Sequence, residues 1–397
     1  MMMPLLRLEE PHPVVGQRFA LFELGFRPFY LLASVFAALS IPLWALQFSG
    51  KLGHPYLAGR LWHAHEMVFG FTLAVIVGFL FTAGRNWSNQ PTPTGWTLAA
   101  LAALWVAGRI LVLTPYGVAA AAVNVAFPLL AAVALAIPFL KAGSRRNYFF
   151  VGLLVVLSAA SGVVHLSQLG AVDLPAFPAI AVALDVVLFI VAVMGGRVIP
   201  MFTNNGVPAA GAIRRPAVEK AALGLVLATL AADAAGIEGS VLVVLTSAAA
   251  IAHAWRWLLW QPWKTRSVPL VWVLQLAYAW IPVHLALRAL AELGLVTSST
   301  AAHALTVGAV GGLVIGMITR TARGHTARPL RADRFDTACY VLVLLAALVR
   351  VGVPLTAPAQ TVLAVLCSAA LWSAGFGLYA IRYWSVLSRP RLDGRPG

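Results

Sequence analysis

From end to end the chain alternates between apolar runs of about 20 residues and short polar breaks, and a run of that length crosses the ~30 Å hydrocarbon core of a bilayer. Hydrophobic residues make up 61% of the 397 and charged residues only 10%, with a mean hydropathy of +0.87. A soluble domain carries about 25% charged residues. This chain lacks the polar groups to cover a globule, so its outside must face lipid. Twelve runs are legible: 26–48, 65–83, 95–113, 118–140, 147–169, 177–198, 217–235, 240–260, 269–292, 299–319, 335–356 and 359–384. The expected fold is all-α, a polytopic membrane protein of about twelve transmembrane helices. No linker or compositional break divides it, so 26–384 is read as one membrane domain between a segment at 1–25 and a tail at 385–397.

A net charge of +15 raises the question of nucleic acid, and the placement of the charge answers it. Arg85, the Lys141–Arg146 and Arg197–Lys220 groups, Arg256, Lys264, Arg266 and the Arg320–Arg334 group fall at alternate connections, on the same side as the basic termini. The opposite side keeps Lys51, Arg60, Arg109, Arg288 and Arg350. By the positive-inside rule both termini are expected in the cytoplasm, and the basicity orients the chain rather than recruiting nucleic acid. The first 25 residues carry Arg7, Glu9, Glu10 and Arg18 and no apolar core, so no cleaved signal peptide is expected. Cys339 and Cys367 have no partner spacing and read as core packing.

One internal echo links the second run to the tenth. Laying His65 on His303 aligns Gly70 with Gly308, Ala74 with Gly312, Gly78 with Gly316 and Arg85 with Arg323. Each run thus carries a stripe of small residues that admits a neighbouring helix or a flat ligand. At 100° per residue each histidine stands about 140° away from the first glycine of its stripe. If the twelve helices form three arcs of four, helices 2, 6 and 10 become equivalent. That arrangement resembles the heme-copper oxidases, whose low-spin heme is held by histidines of helices 2 and 10.

Five of the nine histidines, His63, His65, His165, His284 and His303, are expected at one depth, in the outer half of the bundle. Neutral imidazole is a common ligand of heme iron and of copper, and an ionisable group inside a membrane is functional by default. The bland alternative is that each ring bonds a carbonyl at a helix end. His63 and His65 stand about 200° apart on a regular helix, too far to share one ion from one face. Either His63 precedes the helix, or the two serve different centres. Glu66 reads as a partner orienting a ligand imidazole, as a proton donor, or as a first-turn carboxylate favoured by the helix dipole. Asp185, midway along its run, is read either as a proton relay or as the partner of an Arg or Asn. His253, beside Trp255, Arg256 and Trp257, reads as an interfacial belt with a snorkelling arginine.

On the cytoplasmic side Arg197, Asn204, Arg320, Arg323 and His325 are concentrated in "VMGGRVIPMFTNNG" and "ITRTARGHTARPLRAD". Arginines bind carboxylates such as heme propionates, or equally lipid phosphates, and His325 reads as a second heme ligand or a loop-ordering group.

"ELGFRPFY", "WHAHEMVFGF", "GFLFTAGRNW", "MGGRVIPMFTNN", "HALTVGAVGG" and "RGHTARPL" together resemble the NnrS family over about residues 20–335. The resemblance implies a bacterial inner-membrane protein with heme and copper, tied to denitrification and to defence against nitric oxide. It carries His63, His65, Glu66, Arg197, Asn204, His303 and His325 over by motif. Two positions depart from it: Ala327 stands where a glycine is usual, and Gln275 where a histidine is expected. The expected function is binding of nitric oxide at a histidine-held metal, with heme b and copper as cofactors. His65 and His303 are the expected heme ligands, with His63 and His165 or His284 at copper and Glu66 tuning or protonating the site. Reduction of nitric oxide with electrons from a donor is the enzymatic form of this reading. The competing class is a secondary transporter of a metal or a nitrosylated iron species, and a third is a sensor whose arginine loops recruit a partner.

Overall fold

Apolar residues that repeat without interruption over about 20 positions satisfy their backbone internally only as helices when no water is at hand. The computed structural model describes residues 18–48 and 55–395, and among these the chain is helical with no strand. Most of the segment expected at 1–25, together with His12, Lys51 and His54, lies outside the described residues.

The helices are α1 (Phe26–Phe48), α2 (Gly59–Ser88), α3 (Gly95–Leu111), α4 (Gly117–Lys141), α5 (Tyr148–Gln168), α6 (Ala176–Gly206), α7 (Pro216–Ala234), α8 (Ser240–Leu259), α9 (Pro269–Glu292), α10 (Ser298–His325), α11 (Arg334–Thr356) and α12 (Thr361–Ser388). Each apolar run of the sequence falls on one of them. Ten are long and apolar enough to cross a membrane. The other two are α3, which has 17 residues, and α7, whose 19 residues are diluted by Glu219, Lys220 and Asp233. The protein is a polytopic helical membrane protein.

Helix ends are set by local chemistry. Pro216 and Pro269 open α7 and α9 at positions where no amide hydrogen is needed. Asp333 and Asp336 exchange backbone hydrogen bonds in a capping box before α11. The Ala20 N–H donates to the Ser388 carbonyl at 2.8 Å, which ties the two ends of the described chain together. The end of the bundle that carries this tie is called proximal below, and the opposite end distal.

The molecule is dressed inside out. Ile381 is 80% and Val362 74% exposed, whereas Arg256 is 1% and His65 and Glu66 are 0% exposed. Arg256 does not snorkel. Its guanidinium turns inward to Glu219, the Tyr278 hydroxyl and the Ala192 carbonyl, and His253 joins through Nδ1 to Tyr278 at 2.7 Å. Gly196 makes room for it, since a Cβ there would collide with the guanidinium. A buried carboxylate on α7 therefore outweighs the pull of the interface on Arg256. Cys339 is buried as expected, but Cys367 lies on the exposed face of α12.

The helices α2 and α10 are the most enclosed, with 83% and 72% of their apolar windows buried. They share an unusual build. In each, a short α segment ending in the histidine (Gly59–His65, Ser298–His303) gives way to a π-helical stretch (Glu66–Thr72, Ala304–Gly311) and then to regular α-helix. The echo seen in the sequence is thus also an echo of backbone geometry. A π stretch bonds i to i+5, so the 140° between histidine and glycine that holds for an α-helix does not hold here.

Candidate metal-binding site

The π stretch of α2 rearranges its own carbonyls, and neighbouring helices take them up. The Trp105 indole N–H of α3 donates to the Gly70 carbonyl at 3.1 Å, and the Thr72 hydroxyl reaches back to the Met67 carbonyl at 2.8 Å. Gly70 is needed because a Cβ there would meet the Arg109 guanidinium at 2.5 Å. The small-residue stripes are filled by protein. Gly308, Gly312 and Gly316 receive Trp280, Ala277 and Leu274 of α9, and Gly78 receives Phe29 of α1. The stripes serve helix packing rather than a flat ligand.

At the distal end this packing gathers the histidines into two pairs. His65 of α2 meets His165 of α5 edge-to-face, with ring centroids 4.9 Å apart. His63 of α2 stacks with His303 of α10 at 6.3 Å and an interplanar angle of 12°. The expected pairing of His65 with His303 is not what the helices deliver. The two histidines of the W-H-A-H stretch point to different partners, as the angle between i and i+2 requires.

The protonation of the rings follows from their partners. His65 Nδ1 lies 2.8 Å from the Glu66 carboxylate, His303 Nδ1 lies 2.6 Å from the Ser299 carbonyl, and His284 Nδ1 lies 2.7 Å from the Ala301 carbonyl. These oxygens only accept, so Nδ1 carries the hydrogen and Nε2 is left with a bare lone pair. The Tyr56 hydroxyl donates to the His165 carbonyl at 3.1 Å and stands 3.3 Å from Nδ1 of that ring, which leaves Nε2 bare there too. Nε2 of His65, His165 and His284 is buried without a hydrogen-bond partner, as is Nδ1 of His63. A lone pair buried without a donor costs about 1–3 kcal/mol, and an imidazole held through one nitrogen with the other bare is how a metal ligand is prepared.

Glu66 is fully buried, and its charge is met by Arg109 of α3 at 3.4 Å. Arg109 is in turn held by the Asn124 side chain of α4, whose amide donates to the Ala120 carbonyl at 2.8 Å. Around the other pair, Trp44 lies against His63 at 5.2 Å, and Arg350 of α11 is a charged neighbour of both His63 and His303. Sequence reasoning did not select Tyr56, Arg109, Asn124 or Arg350. A signal was present: Arg109 and Arg350 are basic residues on the side that the charge pattern otherwise keeps clear.

His284 is not brought to either pair. It faces α10 at Ala301, one turn from Arg288. Gln275, where a histidine was expected, bonds to Thr203 and to the Trp260 carbonyl nearer the proximal end, away from the distal rings. Among the described residues no group of three or more His, Cys, Asp and Glu converges as a complete ligand set.

The proximal candidates are engaged with protein. Asn204 clasps the Ala212 backbone through both ends of its amide, and Arg320 stacks on Phe202 at 3.7 Å. Arg323 joins Asp333, Asp336 and Tyr383, while Arg197 sits over Trp87, Phe149 and Phe150 and donates to Asn147. The ring of His325, the last residue of α10, rests against Phe26 at 5.5 Å. Arg320 lies 17 residues from His303, about 25 Å along the helix at 1.5 Å per residue. One heme held at His303 cannot place its carboxylates there.

A family model described as NnrS protein matches residues 20–391 of the chain. No curated protein matches it in sequence.

Proposed function

The chain belongs to the NnrS family, and from that premise we propose that its two distal histidine pairs hold redox metal ions that bind nitric oxide. Family membership makes it a membrane protein of the nitric oxide response. The observation that carries the metal reading is that three of the four paired rings, His63, His65 and His165, each keep a buried ring nitrogen without a hydrogen-bond partner.

The two pairs differ in ring spacing. The His63–His303 pair stands at 6.3 Å and the His65–His165 pair at 4.9 Å. The pairs also differ in their charged neighbours, Arg350 for one and the Arg109–Glu66 pair for the other. His63 and His303 would hold heme b, and the guanidinium of Arg350, a charged neighbour of both rings, suits a propionate. His65 and His165 would hold copper. When bound, heme and copper would supply the place where nitric oxide binds and the redox centres through which a donor's electrons reach it.

The chain supplies the rest. Glu66 fixes the tautomer and orientation of His65 and raises its basicity. Arg109, itself held by Asn124, fixes the Glu66 carboxyl in place. Tyr56 does for His165 what Glu66 does for His65. Phe69 packs on the His65 ring while Phe36 and Trp105 cover the Arg109 guanidinium, and the unpartnered Oε2 of Glu66 is the atom from which a proton would be passed. Reduction of two nitric oxide molecules to nitrous oxide and water takes two protons and two electrons, so the reading requires a donor protein or quinol in the membrane, for which the bacterial inner membrane is the proposed setting.

The test is made on the detergent-purified protein. Heme and copper near one each, with consumption of nitric oxide in the presence of a reductant, is the expected result. Full metal without turnover reduces the reading to binding. A folded, colourless, metal-free protein overturns it in favour of a carrier.

A further inference from the structure

A third polar cluster lies in the distal half, apart from the histidine pairs. Asp185 of α6 accepts from Arg288 of α9 at 2.9 Å through Oδ1. Asp233, at the end of α7, accepts from the other nitrogen of the same guanidinium through both of its oxygens, at 2.8 and 2.7 Å. The Asp185 side chain is 3% exposed, and its Oδ2 has no hydrogen-bond partner. The two carboxylates share one guanidinium, which brings Asp233 next to Asp185.

Two carboxylates and one guanidinium sum to one uncompensated negative charge. In a medium of low dielectric such a charge is costly, and a protein removes it by protonation. The other charged and titratable groups around the cluster do not supply the missing cation. On α9 they are His284, one turn before Arg288, and Glu292, which is spent on the Gly239 N–H at 3.0 Å. His284 is itself buried with no acceptor at Nε2, so its ring adds no positive charge. A proton on Asp185 Oδ2 resolves both deficits at once. It supplies the missing positive charge, and it gives the unpartnered oxygen a hydrogen to donate to Asp233.

We propose that Asp185, Asp233 and Arg288 form a proton-binding site in which one proton is shared by the two carboxylates and exchanged with water at the distal end of the bundle. The way in is through Asp233 and Arg288, whose side chains are 12% and 17% exposed while Asp185 is sealed. Binding takes the cluster from a charge of −1 to neutral, and release restores it. His284, one turn before Arg288, bonds the Ala301 carbonyl two residues before His303, so the site shares the distal end with the histidine pairs, where a proton-consuming reaction would draw on it. That use of the proton rests on the metal-site reading, whereas the existence of the site does not.

Infrared spectra of the metal-free, detergent-solubilised protein test it, so failure here leaves the metal reading standing and failure there leaves this one. The expected result is a protonated-carboxyl C=O band that shifts in D2O within the mixing time and is missing from Asp185→Asn. Asp233→Asn, a second variant should the first fail to fold, is expected to shift the band by removing its hydrogen-bond acceptor. Gel filtration verifies the fold of each. A wild-type spectrum without the band at mildly acidic and neutral pH, or a band unchanged in both folded variants, overturns the proposal.

Discussion

Glu66 shows how much a single buried carboxylate is asked to do. Oε1 meets both the His65 ring at 2.8 Å and the Arg109 guanidinium at 3.4 Å, in a side chain that is fully buried. Glu66→Gln keeps the shape and an acceptor oxygen but removes the charge. Copper affinity measured against a chelator is expected to fall about 10–100-fold, the usual cost of losing such a partner; an unchanged affinity would remove Glu66 from the site. Ala327 is a residue-scale case of the opposite kind. Its φ is +59°, in the left-handed region that costs an L residue roughly 1–2 kcal/mol. This explains why the resembling motif has glycine there. Ala327→Gly is expected to raise the thermal midpoint in detergent, and a lowered midpoint would contradict the account. Asp333, just outside the membrane-spanning part of α11, is held below the usual carboxylate range. Its partial burial acts against this, but the Asp336 N–H and the guanidinium groups of Arg382 and Arg323 prevail. Its folded pKa therefore lies below the unfolded value of about 3.9, so its stabilising contribution is complete above about pH 4 and is lost as pH falls through the lower folded value. Hydrogen-exchange protection over 326–337 should be flat from about pH 7 to 5 and drop only below about pH 4. A drop already near neutral pH would contradict this sign.

At the scale of elements, the two π stretches decide what the histidines face. They follow His65 and His303 directly, and π segments inside helices mark functional sites more often than chance. The sequence announced the kinship of α2 and α10 through aligned histidines and small residues. The π register was not legible, because periodicity at 3.6 residues is the only period such a reading assumes. For the same reason the expected partner of His65 was the wrong one: a ring on α5 was closer than the one on α10. The glycine stripes themselves behaved as the pattern foretold for helix contact. At Gly312 a Cβ would lie 2.7 Å from Ala277 Cβ, a neighbour with no rotamer to retreat into, whereas nothing lies within 4 Å of the position at Gly352. Gly312→Ala is expected to cost about 1–3 kcal/mol of stability by overpacking, with Gly352→Ala near neutral. Equal effects in thermal unfolding would show that α9 and α10 do not meet as described.

For the whole molecule, what was legible was the class: apolar runs and alternating charge lead to helices at all twelve places, ten of them long and apolar enough to cross a membrane. What escaped was the interior, where side chains from different helices meet. Arg256 looked like an interfacial residue because its neighbours are tryptophans, and only the fold places Glu219 beside it. The proximal arginines cluster in sequence, and in the fold each is engaged with protein: Arg197 with Asn147 and three aromatic rings, Arg320 with Phe202, Arg323 with Asp333 and Asp336. The distal arginines, few and scattered, are the ones that reach the histidines and the carboxylate pair. The central claim is that the rings act in two separate pairs, each on its own ion. The measurement that tests it most directly is heme and copper content with the visible spectrum of four purified variants, His63→Ala, His303→Ala, His65→Ala and His165→Ala. The account predicts that the first two lose heme and keep copper, and that the last two lose copper and keep heme. Metal loss that follows a different grouping, or wild-type levels of both metals in all four, would contradict it.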